Sequence, residues 1–250
     1  MVIVLALFLL LAFAYLNLTE HVFRLLGLSP LGAFVLLGGS LLGSMINIPV
    51  TRQRIKLVDP RVEQMPAWMR WMLPIVHYYP PAAVDQVVAV NVGGAIVPVV
   101  FSAYLLTQPG TKLLAALVAT ALVVIIAKLL ARPMPGVGVT LPTFIPPLVA
   151  AVTAHFLVLA MGGPLPAAAP VAYISGTLGT LIGADLLNLP RILRGSLVQG
   201  TAAGLGNDPA WNYFGGAGRP APKFIASIGG AGIFDGIFLT SILAPILAVL

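Results

Sequence analysis

Long apolar runs fill most of this chain, and their length limits the fold more than any other feature. Seven of them have about 17–25 residues, the length that a helix needs to cross the hydrocarbon core of a bilayer. The predicted spans are residues 2–18, 30–48, 85–106, 112–131, 143–161, 170–189 and 224–248. A β-barrel would show short alternating segments instead. The sequence therefore predicts an all-α membrane protein with about seven transmembrane helices.

The composition favours the same class. Hydrophobic residues make up 59% of the chain and charged residues only 8%, and the mean hydropathy is +1.04. A soluble fold could not cover its surface with so few charges, whereas a surface that faces lipid requires none. The chain has no cysteine, which excludes disulfides, thiolate metal sites and cysteine nucleophiles.

The basic residues fall almost entirely on one predicted face of the membrane. With seven spans, the end of span four and the segments after spans two, four and six share one side, and they carry all of the 13 Lys and Arg residues except Arg24 and Lys112. The positive-inside rule places that side in the cytoplasm. We therefore expect a cytoplasmic N-terminus and an external C-terminus. The isoelectric point near 10.0 then needs no nucleic acid to explain it, and none is predicted as a partner.

Two pairs of short motifs occur in the same order in the two halves of the chain. Residues 39–49 (GSLLGSMINIP) resemble residues 179–190 (GTLIGADLLNLP), and residues 93–98 (GGAIVP) resemble residues 229–235 (GGAGIFD). The motifs are 54 residues apart in the first copy and 50 in the second. A shift of four spans preserves helix direction. We therefore expect two parallel three-helix repeats joined by a connector helix (3-1-3), an architecture like that of SWEET-type sugar transporters.

This plan divides the chain into three parts. Residues 1–106 form the first repeat, with a loop at 49–84 that we expect at the level of the lipid headgroups. Residues 107–142 hold the connector helix, and residues 143–250 form the second repeat, with a cytoplasmic loop at 190–223. The lipid bilayer is one predicted partner, and the two long loops are the predicted contact regions for a membrane-protein partner.

The second repeat has an aspartate in each motif where the first has none. Asp185 and Asp235 are expected in the cytoplasmic half of adjacent spans, where an ionisable group is costly and therefore suggests function. Asn188 follows Asp185 by three residues, a spacing that places both on one helix face. A structural alternative remains for each aspartate, namely hydration at the interface or capping of a neighbouring helix.

The first repeat offers uncharged polar residues to the same predicted site. Asn47 lies in its first motif, and Asn91 lies two residues before its second. Gly230 belongs to a glycine-rich turn that lets a backbone or a solute approach closely. The sequence therefore predicts that a small solute or ion binds or crosses at the repeat interface, with an aspartate available to carry a coupling proton. No cofactor and no metal are predicted.

Two other functions compete with solute binding. Two aspartates on neighbouring helices would also suit an intramembrane aspartyl protease of the presenilin kind, in which two carboxylates share a proton and activate water. That family's Gly-x-Gly-Asp motif is replaced here by Gly232-Ile233-Phe234-Asp235, and alanine rather than tyrosine precedes Asp185. A non-catalytic subunit of a larger membrane complex is the third alternative, because little of the chain lies outside the predicted spans.

Other features have simpler interpretations. The pairs Gly39/Gly43 and Gly179/Gly183 are small-xxx-small faces, which indicate close helix packing more often than ligand contact. They also suggest a homo-oligomer contact. His155, in the fifth span, is expected to be a hydrogen-bonded packing residue.

Three longer phrases resemble one family. They are Val90–Ala95 (VNVGGA), Tyr173–Asn188 (YISGTLGTLIGADLLN) and Ile228–Thr240 (IGGAGIFDGIFLT). Together they resemble the prokaryotic multipass membrane-protein family known as domain of unknown function 1614, over most of residues 30–245. The resemblance implies the inner membrane of a prokaryote, and it carries no activity, substrate or cofactor. The stretch around 196–219 looks longer than the family's usual link, which favours a partner specific to this protein.

Overall fold

The computed structural model describes residues 5–7, 9–10, 13, 17, 23–57, 66, 68, 82–134, 138–193, 223–230 and 236–250. Helices predominate in these residues, and a small sheet lies beside them. The helices are α1 (Pro30–Gly43), α2 (Val97–Thr107), α3 (Leu113–Leu130), α4 (Ile145–Ala160), α5 (Ala168–Thr180) and α6 (Gly236–Val249). The strands are β1 (Asn47–Leu57), β2 (Ala82–Asn91), β3 (Arg132–Met134), β4 (Gly138–Thr140) and β5 (Lys223–Ile228).

Two wide π-helical segments adjoin these helices. The segment π1 (Val92–Ile96) precedes α2, and π2 (Leu181–Asp185) follows α5. Short 3₁₀ turns flank α5 and π2, at Leu165–Ala167 and Leu186–Asn188. Such π segments are rare and often lie at functional sites.

Two helices in the described part of the chain can cross a membrane by length and composition. They are Leu113–Leu130, with a mean hydropathy of 2.7, and the continuous helix Leu165–Leu193, with 1.4. The other apolar helices have 10–17 residues. A helix of 14 residues such as α1 is only about 21 Å long, shorter than the hydrocarbon core of about 30 Å.

Helix α5 lies at the centre of the bundle. All but one of its 13 residues are buried, and it packs against α2, α3, α4 and α6. Glycines permit this packing: a Cβ on Gly176 would lie 2.7 Å from Cγ2 of Thr240, and a Cβ on Gly179 would lie 2.6 Å from Cβ of Val123. A Cβ on Gly183 would also lie 2.5 Å from a backbone oxygen of α3. The predicted close packing is confirmed at Gly179 and Gly183, whereas a Cβ on Gly39 would meet no described atom within 4 Å.

Polar side chains inside the bundle mostly find partners there. The hydroxyls of Ser102 and Thr177 are 3.1 Å apart between α2 and α5. Nδ1 of His155 donates to the carbonyl of Ala248, 3.0 Å away, which links α4 to α6. The predicted packing role of His155 is therefore confirmed. The buried hydroxyl of Thr180 has no hydrogen-bond partner among the described residues.

The sheet contains β1, β2 and β5, with β2 in the centre. Strand β1 is antiparallel to β2, and β5 is parallel to β2. Arg52 of β1 forms an ion pair with Asp85 of β2, with 2.7 Å between Nη2 and Oδ2. Strands β3 and β4 form a separate antiparallel hairpin after α3.

These strands correct the predicted all-α architecture. Residues 47–48 of the second predicted span, 85–91 of the third and 224–228 of the seventh form strands rather than helix. The ends of the predicted headgroup-level loop, 49–57 and 82–84, are strands as well. The Val-rich sequence of β2 is apolar enough for a membrane helix, but β-branched side chains favour an extended backbone. Hydropathy alone does not separate the two conformations.

The other predicted spans agree with helices. The predicted spans 112–131, 143–161 and 170–189 begin and end within a few residues of the observed helices. The described residues of the first predicted span are helical too. Residues 194–222, most of the predicted cytoplasmic loop, lie outside the described residues, and so does the segment 231–235, which contains Asp235.

Candidate functional site

Two glycine pairs from distant parts of the chain meet backbone to backbone. Gly93 and Gly94 lie in π1, just after β2, and Gly229 and Gly230 directly follow β5. A Cβ on Gly94 would overlap the carbonyl oxygen of Gly229, and Gly229 has a φ of +87°. A larger residue at Gly94 would collide with that oxygen, and a larger residue at Gly229 would have a strained backbone. We call these four residues the glycine junction.

The sheet brings the two glycine pairs together. Strands β2 and β5 are parallel neighbours, and Val90 near the end of β2 is paired with Ile228 at the end of β5. The glycine pairs that follow the two strands therefore lie at the same end of the sheet. As a result, the motifs at 93–98 and 229–235 begin side by side in space.

The first motif of the N-terminal half also contacts the junction. Helix α1 approaches π1 so closely that a Cβ on Gly43 would lie 2.9 Å from the backbone nitrogen of Gly93. The hydroxyl of Ser40 donates to the carbonyl of Gly93 at 2.8 Å. The end of α1 is thereby fixed against the junction.

Asn91 holds π1 in place. It is 1% exposed, and its Oδ1 accepts the N–H of Gly94 at 2.7 Å. Its Nδ2 donates to the carbonyl of Ser44 at 2.7 Å and to Oδ1 of Asn47 at 3.2 Å. A side-chain amide has two N–H groups, so Asn91 uses both of them within the protein. The contacts assign Asn91 to positioning the junction.

Asn47 joins the two halves of the chain and lies at the surface. Its Oδ1 lies 2.6 Å from the hydroxyl oxygen of Ser227, within hydrogen-bond distance. The same hydroxyl lies 2.8 Å from the carbonyl oxygen of Gly230. A hydroxyl carries a single hydrogen, so Ser227 can donate to only one of these acceptors at a time. Asn47 is exposed, so solvent reaches the group of hydrogen-bonded side chains Asn91, Asn47 and Ser227 at Asn47.

Asp185 contacts the junction from the second half of the chain. It ends π2 and is half-buried, and its Oδ2 accepts the N–H of Gly229 at 2.7 Å. Backbone N–H groups are favourable partners for a carboxylate. The structure thus brings four of the predicted site residues to one place: Asp185, Asn47, Asn91 and Gly230.

Asn188, the fifth described site residue, has other partners. It is 0% exposed, and its Nδ2 donates to the carbonyls of Ala184 at 2.9 Å and Gly183 at 3.3 Å. Its Oδ1 accepts Nζ of Lys128 at 2.7 Å, and Lys128 also donates to the carbonyl of Leu187. We call Lys128, Leu187 and Asn188 the lysine cap. No hydrogen bond between Asn188 and the glycine junction occurs among the described residues.

The π2 segment gives a physical reason for the position of Asn188. A π turn changes the usual backbone hydrogen-bond pattern of a helix, and the amide of Asn188 bonds to two carbonyls of that segment. The carbonyl of Leu187, near the helix end, is taken by Lys128. Helix ends need such partners because their last carbonyls have none within the helix.

Sequence reasoning missed two residues. The first is Ser227, which lies two residues before Gly229, just as Asn91 lies two residues before Gly93. An alignment of the repeated motifs extended by two residues would have found Ser227. The second is Lys128, which the sequence indicated only as one of the basic residues on the predicted cytoplasmic side. The apolar helix around it offered no sign that it would reach Asn188, 60 residues away in the chain.

The comparison with known families gives one match. The family model described as "Protein of unknown function (DUF1614)" matches residues 41–247. The match contains the glycine junction, Asp185 and the lysine cap, and it confirms the resemblance found in the three sequence phrases. No curated protein and no solved structure matches the chain.

Proposed function

We propose that this chain, which belongs to the family "Protein of unknown function (DUF1614)", is a multipass membrane protein that binds or transports a small solute or ion beside the glycine junction. One observation carries the proposal. The N–H of Gly229, in the turn that meets Gly94, is bonded to the half-buried carboxylate of Asp185. Segments from both halves of the chain therefore converge on one acidic group.

A multipass arrangement in a prokaryotic inner membrane is part of this proposal. Helix α3 supports it, because Lys112 and Lys128 lie at its two ends and the sequence between them contains no charged residue. The exposed stripe of α3 includes Leu114, Leu117 and Leu129. A bilayer covers such a surface, whereas water would disfavour it.

The proposed duplication has support in the described strands. Strand β2 leads through Gly93 and Gly94 into α2, and β5 leads into Gly229 and Gly230 ahead of α6. The two strands are parallel neighbours. Parallel repeats keep the direction of equivalent elements, whereas inverted repeats would reverse it. The parallel pairing therefore favours the predicted relation between the two halves.

The local backbone favours a site for a solute at the junction. In many transporters, helices are interrupted at the substrate site, and their free backbone groups contact the solute. Non-helical backbone at membrane depth is tolerated only where it is buried in protein or lines a hydrated cavity. Here the glycine pairs directly follow β2 and β5 or lie within one turn of their ends, and Asp185 supplies the negative charge beside them. A cation, or a solute with N–H groups, would suit a carboxylate of this kind.

Flux measurements on the full-length protein test the proposal. Proteoliposomes would be loaded with a pH-sensitive dye and tested for proton movement under Na⁺ and K⁺ gradients, with radioactive Na⁺ uptake in parallel. We expect flux above that of empty liposomes, and a loss of at least about ten-fold in Asp185→Asn. Asp85→Asn is the matched control, because Asp85 pairs with Arg52 in the sheet. Flux that Asp185→Asn leaves unchanged would remove Asp185 from the mechanism.

A cross-linking experiment separates this proposal from the aspartyl hydrolase. That enzyme would need Asp185 and Asp235 within hydrogen-bond reach. The chain has no cysteine of its own, so the double variant Asp185→Cys with Asp235→Cys can form only one intramolecular disulfide. A disulfide requires Cβ atoms about 3.5–4.5 Å apart. Rapid and complete cross-linking would favour the hydrolase, and its absence under mild oxidation would favour two separated carboxylates.

A further inference from the structure

The lysine cap leaves hydrogen-bonding capacity unused. Nζ of Lys128 donates to the carbonyl of Leu187 and to Oδ1 of Asn188. An ammonium group has three N–H donors, so one of them is available to a partner outside these contacts. Lys128 is partly exposed, and the two bonds hold its ammonium group at a fixed position.

A second cation lies beside Lys128. Arg191 is exposed and follows Asn188 by three residues in the same helix, so it lies within one helical turn of the residue that accepts the ammonium group of Lys128. Neither residue forms an ion pair in the part of the chain that the structure describes. Two neighbouring cations repel each other, and an anion bound between them removes that repulsion.

The two cations lie next to an exposed apolar surface. On α3, Leu122, Ile125 and Leu129 are 40%, 55% and 77% exposed. Leu187 of the lysine cap is 48% exposed. Cationic groups at the end of an apolar helical stripe match a phospholipid, which carries its charge at one end and its acyl chains along the other.

We propose that Lys128 and Arg191 bind the phosphate of an anionic phospholipid whose acyl chains lie along α3. The third N–H of Lys128 and the planar guanidinium of Arg191 would form charge-assisted hydrogen bonds to the phosphate oxygens. Arg132 follows α3 and is exposed, and it adds positive charge on the same predicted side. The predicted cytoplasmic leaflet is the one that attracts basic residues through its anionic lipids. This inference rests on a membrane location but not on the solute site.

Native mass spectrometry of the full-length protein tests the inference. The protein would be released from mixed micelles containing equal amounts of phosphatidylglycerol and phosphatidylcholine, and the retained lipids would be counted. We expect wild-type protein to retain phosphatidylglycerol preferentially. The apparent affinity should fall about five-fold in Arg191→Gln and about thirty-fold in the double variant with Lys128→Gln.

The controls separate a specific site from general attraction. Lys112→Gln removes a lysine from the other end of α3 and should leave retention unchanged. Lys128→Gln is expected to weaken the helix end, so Arg191→Gln alone decides the question, because Arg191 makes no hydrogen bond within the described residues. Equal losses in Lys112→Gln and Arg191→Gln would overturn the proposal. Equal retention of both lipids would overturn it too, and displacement of phosphatidylglycerol by millimolar inorganic phosphate would indicate a soluble anion instead.

Discussion

Asp185 and Asn188 lie three residues apart near the end of one helix, yet their surroundings differ. Asp185 is half-buried and contacts the glycine junction, which joins the two halves of the chain. Asn188 is fully buried, and both N–H groups and the oxygen of its amide bond within the lysine cap and π2. A polar residue with filled hydrogen bonds stabilises a fold, whereas an ionisable group inside a membrane protein more often serves a function. Residue type and spacing alone do not distinguish these roles.

The largest effect is expected at the glycine junction itself. In Gly94→Ala the new Cβ would overlap the carbonyl oxygen of Gly229, so the two turns could not approach. We expect a destabilisation above about 4 kcal/mol, which is enough to prevent folding of many proteins. The yield of monodisperse protein in size-exclusion chromatography measures this effect.

Gly39→Ala is the matched control for this substitution. A Cβ on Gly39 would have no described atom within 4 Å, and alanine favours a helix over glycine by about 1 kcal/mol. The control should therefore keep or slightly raise the melting temperature. A folded Gly94→Ala protein with an unchanged melting temperature would show that the glycine junction is not closely packed. The comparison between Asp185 at the junction and Asn188 in the lysine cap would then have no structural basis.

The next largest effect is expected in the lysine cap. Asn188→Ala removes the acceptor of Lys128 and the donors to the carbonyls of Ala184 and Gly183. Each unsatisfied buried group costs about 1–3 kcal/mol. We expect a loss of about 2–4 kcal/mol, measured as a lower thermal midpoint of tryptophan fluorescence in detergent, with flux per folded molecule unchanged. If stability persists while flux disappears, Asn188 belongs to the solute site as the sequence predicted.

A smaller effect on stability is expected for Asp185. Asn in its place keeps an oxygen that can accept the N–H of Gly229, so the free energy of unfolding should change by less than about 1.5 kcal/mol. Flux should nevertheless fall at least about ten-fold, because the charge is gone. Asp185→Asn and Asn188→Ala would then show opposite patterns of lost flux and lost stability. A strong destabilisation by Asp185→Asn would instead make Asp185 a structural residue like Asn188.

Parts of this arrangement follow from the sequence. The repeated motifs predicted that Asn91, Asn47 and Asp185 would come together, because equivalent segments of a duplicated chain tend to share an interface. The strands were missed, since the Val-rich run of β2 satisfies a hydropathy window as well as a helix does. The bond between Lys128 and Asn188 was also missed, because it depends on how α3 packs against the end of the helix that contains α5.

The smallest effect is expected for Ser227, whose hydroxyl lies near both Asn47 and the carbonyl of Gly230. Ser227→Ala removes one shared hydrogen bond at a half-exposed position, so we expect a loss of about 0.5–1.5 kcal/mol. Asn47→Ala should cost more, about 1–3 kcal/mol, because it also removes an acceptor of the buried Nδ2 of Asn91. Because the two residues share that bond, the double variant should be more stable than the sum of the single losses predicts, by about 0.5–1 kcal/mol. Strict additivity in this cycle would mean that Ser227 bonds to Gly230 instead, and that Asn47 is free to contact a solute at the surface of the junction.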